Sequence, residues 1–419
     1  MFCVGSAINM LKYTKYLAIF FILIGATGLF LFLQKKRVIE ITDPNASSTI
    51  TSSDEMKNPD EDDIPQKPLA NPPTVIKAVY FTGWSAGIED RVNYLTELIK
   101  TTELNAAVID IKDYSGYVLY DIKLPEVEKY KAKEIRISKI NSLIKRLHNE
   151  GIYVIARILV FQDPVLARSR GDLAIKNKNT GKLWLDNKNL AWMDPAAREV
   201  WDYNIAIAKE AAERGFDELN FDYIRFPSEG DLDNMAFPFW DKQTPKREII
   251  ANFSKYLRQE LPNVKISADL FGIATIKTDD LGIGQVIEDA YSYFDYVSPM
   301  VYPSHYENGF MGYKNPAQHP YEIVKYSIES AVNRLKIYDL GFKNASSTAT
   351  SSNEILTSYD LNLKPRAKLR PWLQDFNLGA DYDAAAVRKE IQAVYDAASS
   401  TPEIINGFML WSPSNVYTQ

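Results

Sequence analysis

From Val75 onward the apolar positions follow two alternating rhythms. Short runs rich in β-branched and aromatic residues are followed by longer runs with apolar residues three and four apart. Eight runs read as strands: VIKAVYFTG, AAVIDIKD, YVIARILVF, LNFDYIRF, KISADLFG, DYVSPMVY, KLRPWLQDF and NGFMLWS. Amphipathic segments separate them, among them EDRVNYLTELIKTT, ISKINSLIKRLHNEG and AAREVWDYNIAIAKEAAERG, with a shorter fifth crossover around IGQVIEDAYSYF. Such alternation implies parallel pairing through right-handed crossovers. Eight repeats predict the α/β class and a closed (β/α)8 TIM barrel. An open doubly wound sheet is the alternative, but it usually carries a Gly-rich phosphate loop after its first strand. FTGWSAGIED is not such a loop.

Two interruptions stand out. A long segment, QDPVLARSRGDLAIKNKNTGKLWLDNKNLAWMDP, separates the third strand from its helix. A Ser/Thr-rich insert, GFKNASSTATSSNEILTSYDLNLKP, precedes the seventh strand and reads as a mobile surface loop. No full helix follows the eighth strand, so the segment before the first strand is expected to cover that seam.

The residues before the barrel have a different texture. Tyr16 to Leu33, YLAIFFILIGATGLFLFL, carries no charge and approaches the roughly 20 residues a membrane-spanning helix needs. A secretory signal has a shorter apolar run and a small-x-small cleavage site. Residues 1–37 therefore read as an uncleaved N-terminal membrane anchor, with a transmembrane helix at about 16–33 and the bulk of the chain extracytoplasmic. Residues 38–74, rich in Ser, Thr, Pro and Asp, read as a flexible acidic linker. Residues 75–419 form the barrel domain.

Composition narrows the chemistry. A net charge of −6 advertises no nucleic-acid surface. The single cysteine, Cys3, excludes disulfides within the chain and thiolate metal sites, and three scattered histidines suggest no zinc site. No GxSxG elbow and no GKS/T phosphate loop occur. Neither a cofactor nor a metal is expected. A divalent cation held by Asp110, Asp113 and Asp222 is disfavoured by the arginines interspersed among them.

In a (β/α)8 barrel the C-terminal strand ends line the active site. Asp110 and Asp113 follow the second strand, Arg157 lies in the third, Asp222 and Arg225 mark the fourth, and Asp269 the fifth. Tyr302 and His305 follow the sixth, and Asp375 ends the seventh. Aromatics crowd the same rim: Trp84, Tyr114, Phe161, Trp184, Trp192, Phe271, Tyr306, Trp372 and Trp411. Sugar rings stack on aromatic faces while polar groups take their hydroxyls, so the mixture points to a polysaccharide or glycan partner. Glycoside hydrolysis needs one ionised and one protonated carboxyl. Asp222, kept ionised by Arg157 or Arg225, is the first choice for nucleophile or base, and Asp269 for its partner. Tyr302 and His305 would orient sugar hydroxyls. A structural Asp222–Arg225 salt bridge is the bland alternative. Asp217 and Glu218, at the far end of the strand, are expected to be solvated.

KAVYFTGWSAG, AAVIDIKDYSGYV, YVIARILVFQDP, NLAWMDPAAREVWDYNIAIAKEAAERGFDELNFDYIRFPS, DYVSPMVYPSHY and GFMLWSPSNVY resemble the bacterial "putative glycosyl hydrolase domain" family over nearly all of the chain from Val75. The resemblance implies a (β/α)8 barrel near the alpha-amylase-type glycosidases. Their strand-four nucleophile, strand-five acid/base and assisting strand-seven Asp would match Asp222, Asp269 and Asp375. Three departures weaken that carry-over. Asp269 stands where Glu is usual, Asn220 replaces an Arg, and Gln374 replaces the His of a His–Asp pair. The expectation is a membrane-anchored hydrolase of a cell-surface or cell-wall polysaccharide. A non-catalytic, membrane-tethered carbohydrate-binding barrel is the rival, and a transglycosylase or an enzyme of non-sugar cell-wall linkages a more distant one.

Overall fold

A computed structural model describes residues 62, 64–348 and 367–418. The expected anchor and most of the linker lie outside the described residues, among which no helix is long and apolar enough to cross a membrane.

All eight expected strands form and close on themselves. They are β1 (Ile76–Phe81), β2 (Ala106–Lys112), β3 (Tyr153–Leu159), β4 (Glu218–Asp222), β5 (Ile266–Phe271), β6 (Tyr296–Met300), β7 (Lys368–Leu369 and Trp372–Gln374) and β8 (Gly407–Trp411). Each pairs in parallel with its neighbours, and β8 and β2 both pair with β1, which closes the ring. The crossover helices are α1 (Glu89–Thr101), α2 (Ile140–Asn149), α3 (Arg198–Glu213), α4 (Lys246–Glu260), α5 (Ile287–Tyr293), α6 (Pro320–Thr348) and α7 (Ala384–Ala397). Helix α6 runs into the first residues of the Ser/Thr-rich insert, and residues 349–366 lie outside the description.

Alternation along the strands explains how acids come to lie in buried runs. Ala107, Ile109 and Ile111 of β2, Val154, Ala156 and Ile158 of β3, and Leu219 and Phe221 of β4 join the apolar layer under the helices. Residues of opposite parity face the barrel axis, because successive side chains point to opposite faces. On β4 those are Glu218, Asn220 and Asp222, all buried. The inner face is therefore polar along one whole strand while the outer face stays apolar.

The barrel floor holds the groups expected to be solvated. Glu218 receives both bonds of a bidentate pair from Arg370 Nη1, at 2.8 and 2.9 Å, with both side chains fully enclosed. Arg370 also donates to Asn406 and lies 3.8 Å from the centre of the Tyr296 ring. Asp217 accepts from the Val154 amide at 2.7 Å and bonds His148 Nε2 at 2.9 Å. Both acids sit at the far end as expected, but a fully desolvated carboxylate requires partners, and each has them.

The segment before β1 is held against this floor. Leu69 N donates to Asp217, and Gln66 N to the Arg214 carbonyl. Asp62 accepts from the amides of Asn141 and Ser142, capping the first turn of α2. A groove of about 310 Å³ lies here, lined in part by Pro68, Leu69, Pro72, Tyr153 and Tyr296. The β8–β1 seam is stitched instead by residues 412–418. Asn415 bonds the Thr82 amide and the Tyr80 carbonyl, and the Tyr417 hydroxyl also reaches Tyr80. The Asn415 amide carries both an acceptor and a donor, so it satisfies two strand-end groups at once.

Candidate active site

Arg157, on β3, organises the C-terminal end of the barrel. Register places it beside Asp110 of β2 and Asn220 of β4. Its Nη1 donates to Asp110 at 2.7 Å, its Nη2 to Asp222, and its Nε to Asp269 at 3.3 Å. One planar, permanently charged fork thus meets three carboxylates, a geometry that Lys could not supply. The Arg157 side chain is 14% exposed and Asp222 6%, so solvent reaches the pair from above. Asp269 is 1% exposed.

Each acid has further donors. Asp222 accepts from the Tyr223 amide at 2.6 Å, and Tyr223 turns the chain away from the strand with φ of +54°. Asp269 accepts from Asn220 Nδ2 and Trp372 Nε1, both at 2.8 Å. Burial and the neighbouring Asp222 charge push the Asp269 carboxyl up to about 7 against the opposing pull of Arg157. Asp110 accepts from the Tyr80 hydroxyl, and burial, opposed by Arg157, raises it to about 6.

The other expected residues divide. Tyr302 is buried beside the cluster, its ring stacked 5.4 Å from Trp411, with His305 at 5.0 Å and Phe376 at 5.8 Å. Trp372 is fully enclosed and acts through its N–H rather than as an open sugar platform. Trp84 is 52% exposed and stacks on the Arg136 guanidinium at 3.3 Å. Asp113 accepts from Ser115, and burial raises its carboxyl. Of the remaining rim aromatics, Phe161, Trp184 and Trp192 are core residues, whereas Tyr114 is exposed.

Two expectations are corrected. Arg225 forms no ion pair with Asp222. Its guanidinium lies among Trp192 (4.8 Å), Tyr223 (5.0 Å) and Phe271 (4.7 Å) and donates to Ser228 Oγ at 3.1 Å. Tyr223's backward turn takes the chain out of the strand before Arg225, so the cation that meets Asp222 comes from the next strand. Asp375 also stands apart from the Arg157 cluster. It shares the outward parity of Leu373 and accepts from the Thr418 amide and hydroxyl. Burial raises it to about 6.

Sequence reasoning missed Tyr80, Lys112 and the chemical part played by Asn220. Lys112 forms an enclosed ion pair with Asp163 at 2.8 Å. A period-two reading could not have found it, because an irregularity between Asp110 and Lys112 sets Lys112 opposite Ile158 of the outer layer and near Tyr203 of α3. Among the described residues no group of three or more His, Cys, Asp or Glu side chains is arranged to hold a metal ion. The arrangement can hold a carboxylate against a guanidinium that is slightly exposed to solvent.

The chain is similar to several known proteins. A hypothetical protein from Ruminiclostridium thermocellum is 41% identical, over 49% of this chain and 98% of its own, with a TM-score of 0.43. The glycoside hydrolase domain of PgaB (BpsB) from Bordetella bronchiseptica has a TM-score of 0.53 at 14% identity, covering 82% of this chain and 95% of its own. That likeness is one of fold. No curated protein matches in sequence. Residues 78–417 match the family described as "Putative glycosyl hydrolase domain", so the chain belongs to that family of glycosidase-type (β/α)8 barrels.

Proposed function

We propose that the protein hydrolyses O-glycosidic bonds of a cell-surface or cell-wall polysaccharide by a two-carboxylate mechanism, with Asp222 as nucleophile or base. One observation carries the reading. Asp222 stands at the mouth of the barrel with its charge compensated by Arg157 and the Tyr223 amide, beside the Tyr302–Trp411 stack. A carboxylate so placed can meet an anomeric carbon or its attacking water. Asp110 and Asp269 hold Arg157 in position from either side, and Tyr302, His305 and Trp411 form one wall for the sugar. The uncharged run at 16–33 supports tethering of the barrel to the membrane on the extracytoplasmic side.

A second reading, a carbohydrate-binding barrel without turnover, gains support from the locking of three acids onto one arginine. Asp222→Asn decides between them. On a panel of polysaccharides and peptidoglycan, the hydrolase reading expects turnover by the parent and none by the variant, with melting temperature preserved. Binding without turnover in both proteins favours the second reading.

A further inference from the structure

A general acid must come within hydrogen-bond reach of the glycosidic oxygen. The carboxyls near the mouth meet that requirement unequally. Asp269 is enclosed, with Oδ1 taken by Asn220 and Trp372 and Oδ2 by Arg157. Asp110 is held by Arg157 and Tyr80, Asp113 by Ser115, and Asp375 by Thr418.

Glu229 differs from all of these. It follows β4 by seven residues, is 8% exposed, and among the described residues no hydrogen bond or ion pair engages its carboxyl. A desolvated acid that accepts no hydrogen bond is costly in its charged form, so such a group is conspicuous. Its position is fixed from both sides. Ser228, immediately before it, accepts from Arg225, whose guanidinium lies over Tyr223 and Phe271, the first next to Asp222 and the second two residues after Asp269. Gly230, immediately after it, has φ of +106°, and a Cβ there would stand 2.8 Å from Trp184 Cζ2. The corner carrying Glu229 is thus packed against Trp184 on one side and tied to the mouth by Arg225 on the other.

From this geometry, and resting on the hydrolase reading above, we infer that Glu229 is the proton donor to the leaving group. As the glycosidic C–O bond breaks, Glu229 passes its proton to the departing oxygen. It regains one from the water that adds to the anomeric carbon. Burial raises its carboxyl above the ordinary range, opposed by Arg225 and Lys188, which favours the protonated form the role requires. Two carboxyls in unlike surroundings, Asp222 hydrogen-bonded to a guanidinium and Glu229 near cations but accepting no hydrogen bond, then divide the work.

The test compares wild type, Glu229→Gln, Glu229→Asp and Asp222→Asn on 2,4-dinitrophenyl glycosides and on unactivated glycans. A dinitrophenolate leaves without protonation. Glu229→Gln is expected to lose about 10²–10⁴-fold on unactivated glycans while its rates on dinitrophenyl glycosides stay close to those of wild type. The alkaline limb of its pH–rate profile should vanish, and Glu229→Asp should recover part of the loss. Asp222→Asn should lose both substrates. Equal rates for Glu229→Gln and wild type on both substrates overturn the assignment, as does an equal loss on both. Turnover that survives Asp222→Asn overturns the underlying reading and this assignment with it.

Discussion

The guanidinium of Arg157 donates to Asp222 across the β3–β4 seam while its other nitrogens hold Asp110 and Asp269. Three carboxyl groups, on β2, β4 and β5, therefore share one cation on β3. Their mutual repulsion is contained only while its planar fork is present.

Replacing that fork is the first prediction. Arg157→Lys keeps the charge but cannot reach all three buried carboxyls at once, so at least one loses its bond to a cation. Breaking a buried pair costs about 3–5 kcal/mol, so chemical denaturation should show a loss of that order. Glycan turnover should fall by about 100-fold or more through misplacement of Asp222. A variant with wild-type stability and turnover would remove Arg157 from its central position.

Asp375 offers a test by pH. Its carboxyl is raised to about 6, chiefly by burial, from an ordinary 3.8. Between about pH 4 and 6 the folded chain keeps a proton that the unfolded chain has released. Stability from this group is therefore greatest below that window and falls as the pH rises through it. Asp375→Asn, which still accepts from Thr418, should flatten that slope and be the more stable protein at pH 7.5, by about 1–3 kcal/mol. Melting curves from pH 4 to 7.5 on both proteins would show it, and parallel curves would refute it.

The floor pair separates stability from chemistry. Glu218 and Arg370 are fully enclosed, at the barrel end opposite Asp222. Glu218→Gln leaves a buried guanidinium charge uncompensated, at a cost of about 3–5 kcal/mol. Rates per folded molecule on glycans should be unchanged below the unfolding transition. A selective loss of rate without a loss of stability would contradict the assignment of this pair to the scaffold.

Asp62 reports on the arm beneath the barrel. Its carboxylate accepts from two amides at the start of α2 and from the Ser142 hydroxyl. Asp62→Ala should cost about 1 kcal/mol, the usual worth of a helix cap. A fragment beginning at Val75 should lose more, because the Leu69–Asp217 bond goes as well. Equal melting temperatures for fragments beginning at residues 60 and 75 would show that the arm contributes nothing.

Strand periodicity, helix periodicity and their alternation were enough to predict the eight strands, the closed barrel and the end at which Asp110, Asp222 and Asp269 gather. These are local properties: side chains alternate every two residues in a strand, and each strand is followed by an amphipathic crossover. The family resemblance was legible for the same reason, since its motifs lie on contiguous runs.

Partnerships were decided by the tertiary structure. Arg225 is three residues from Asp222 in the chain, yet Asp222 pairs with Arg157, 65 residues away, because β3 lies beside β4 while Tyr223's left-handed turn carries Arg225 off the strand. Glu218 looked solvated at the start of its strand and is sealed, because Arg370 arrives from β7 across the barrel axis. Asp375 follows an inward-facing residue and so faces outward to Thr418. The chain's own text fixes which faces are polar; which charge meets which depends on strand neighbours and on the barrel's closure.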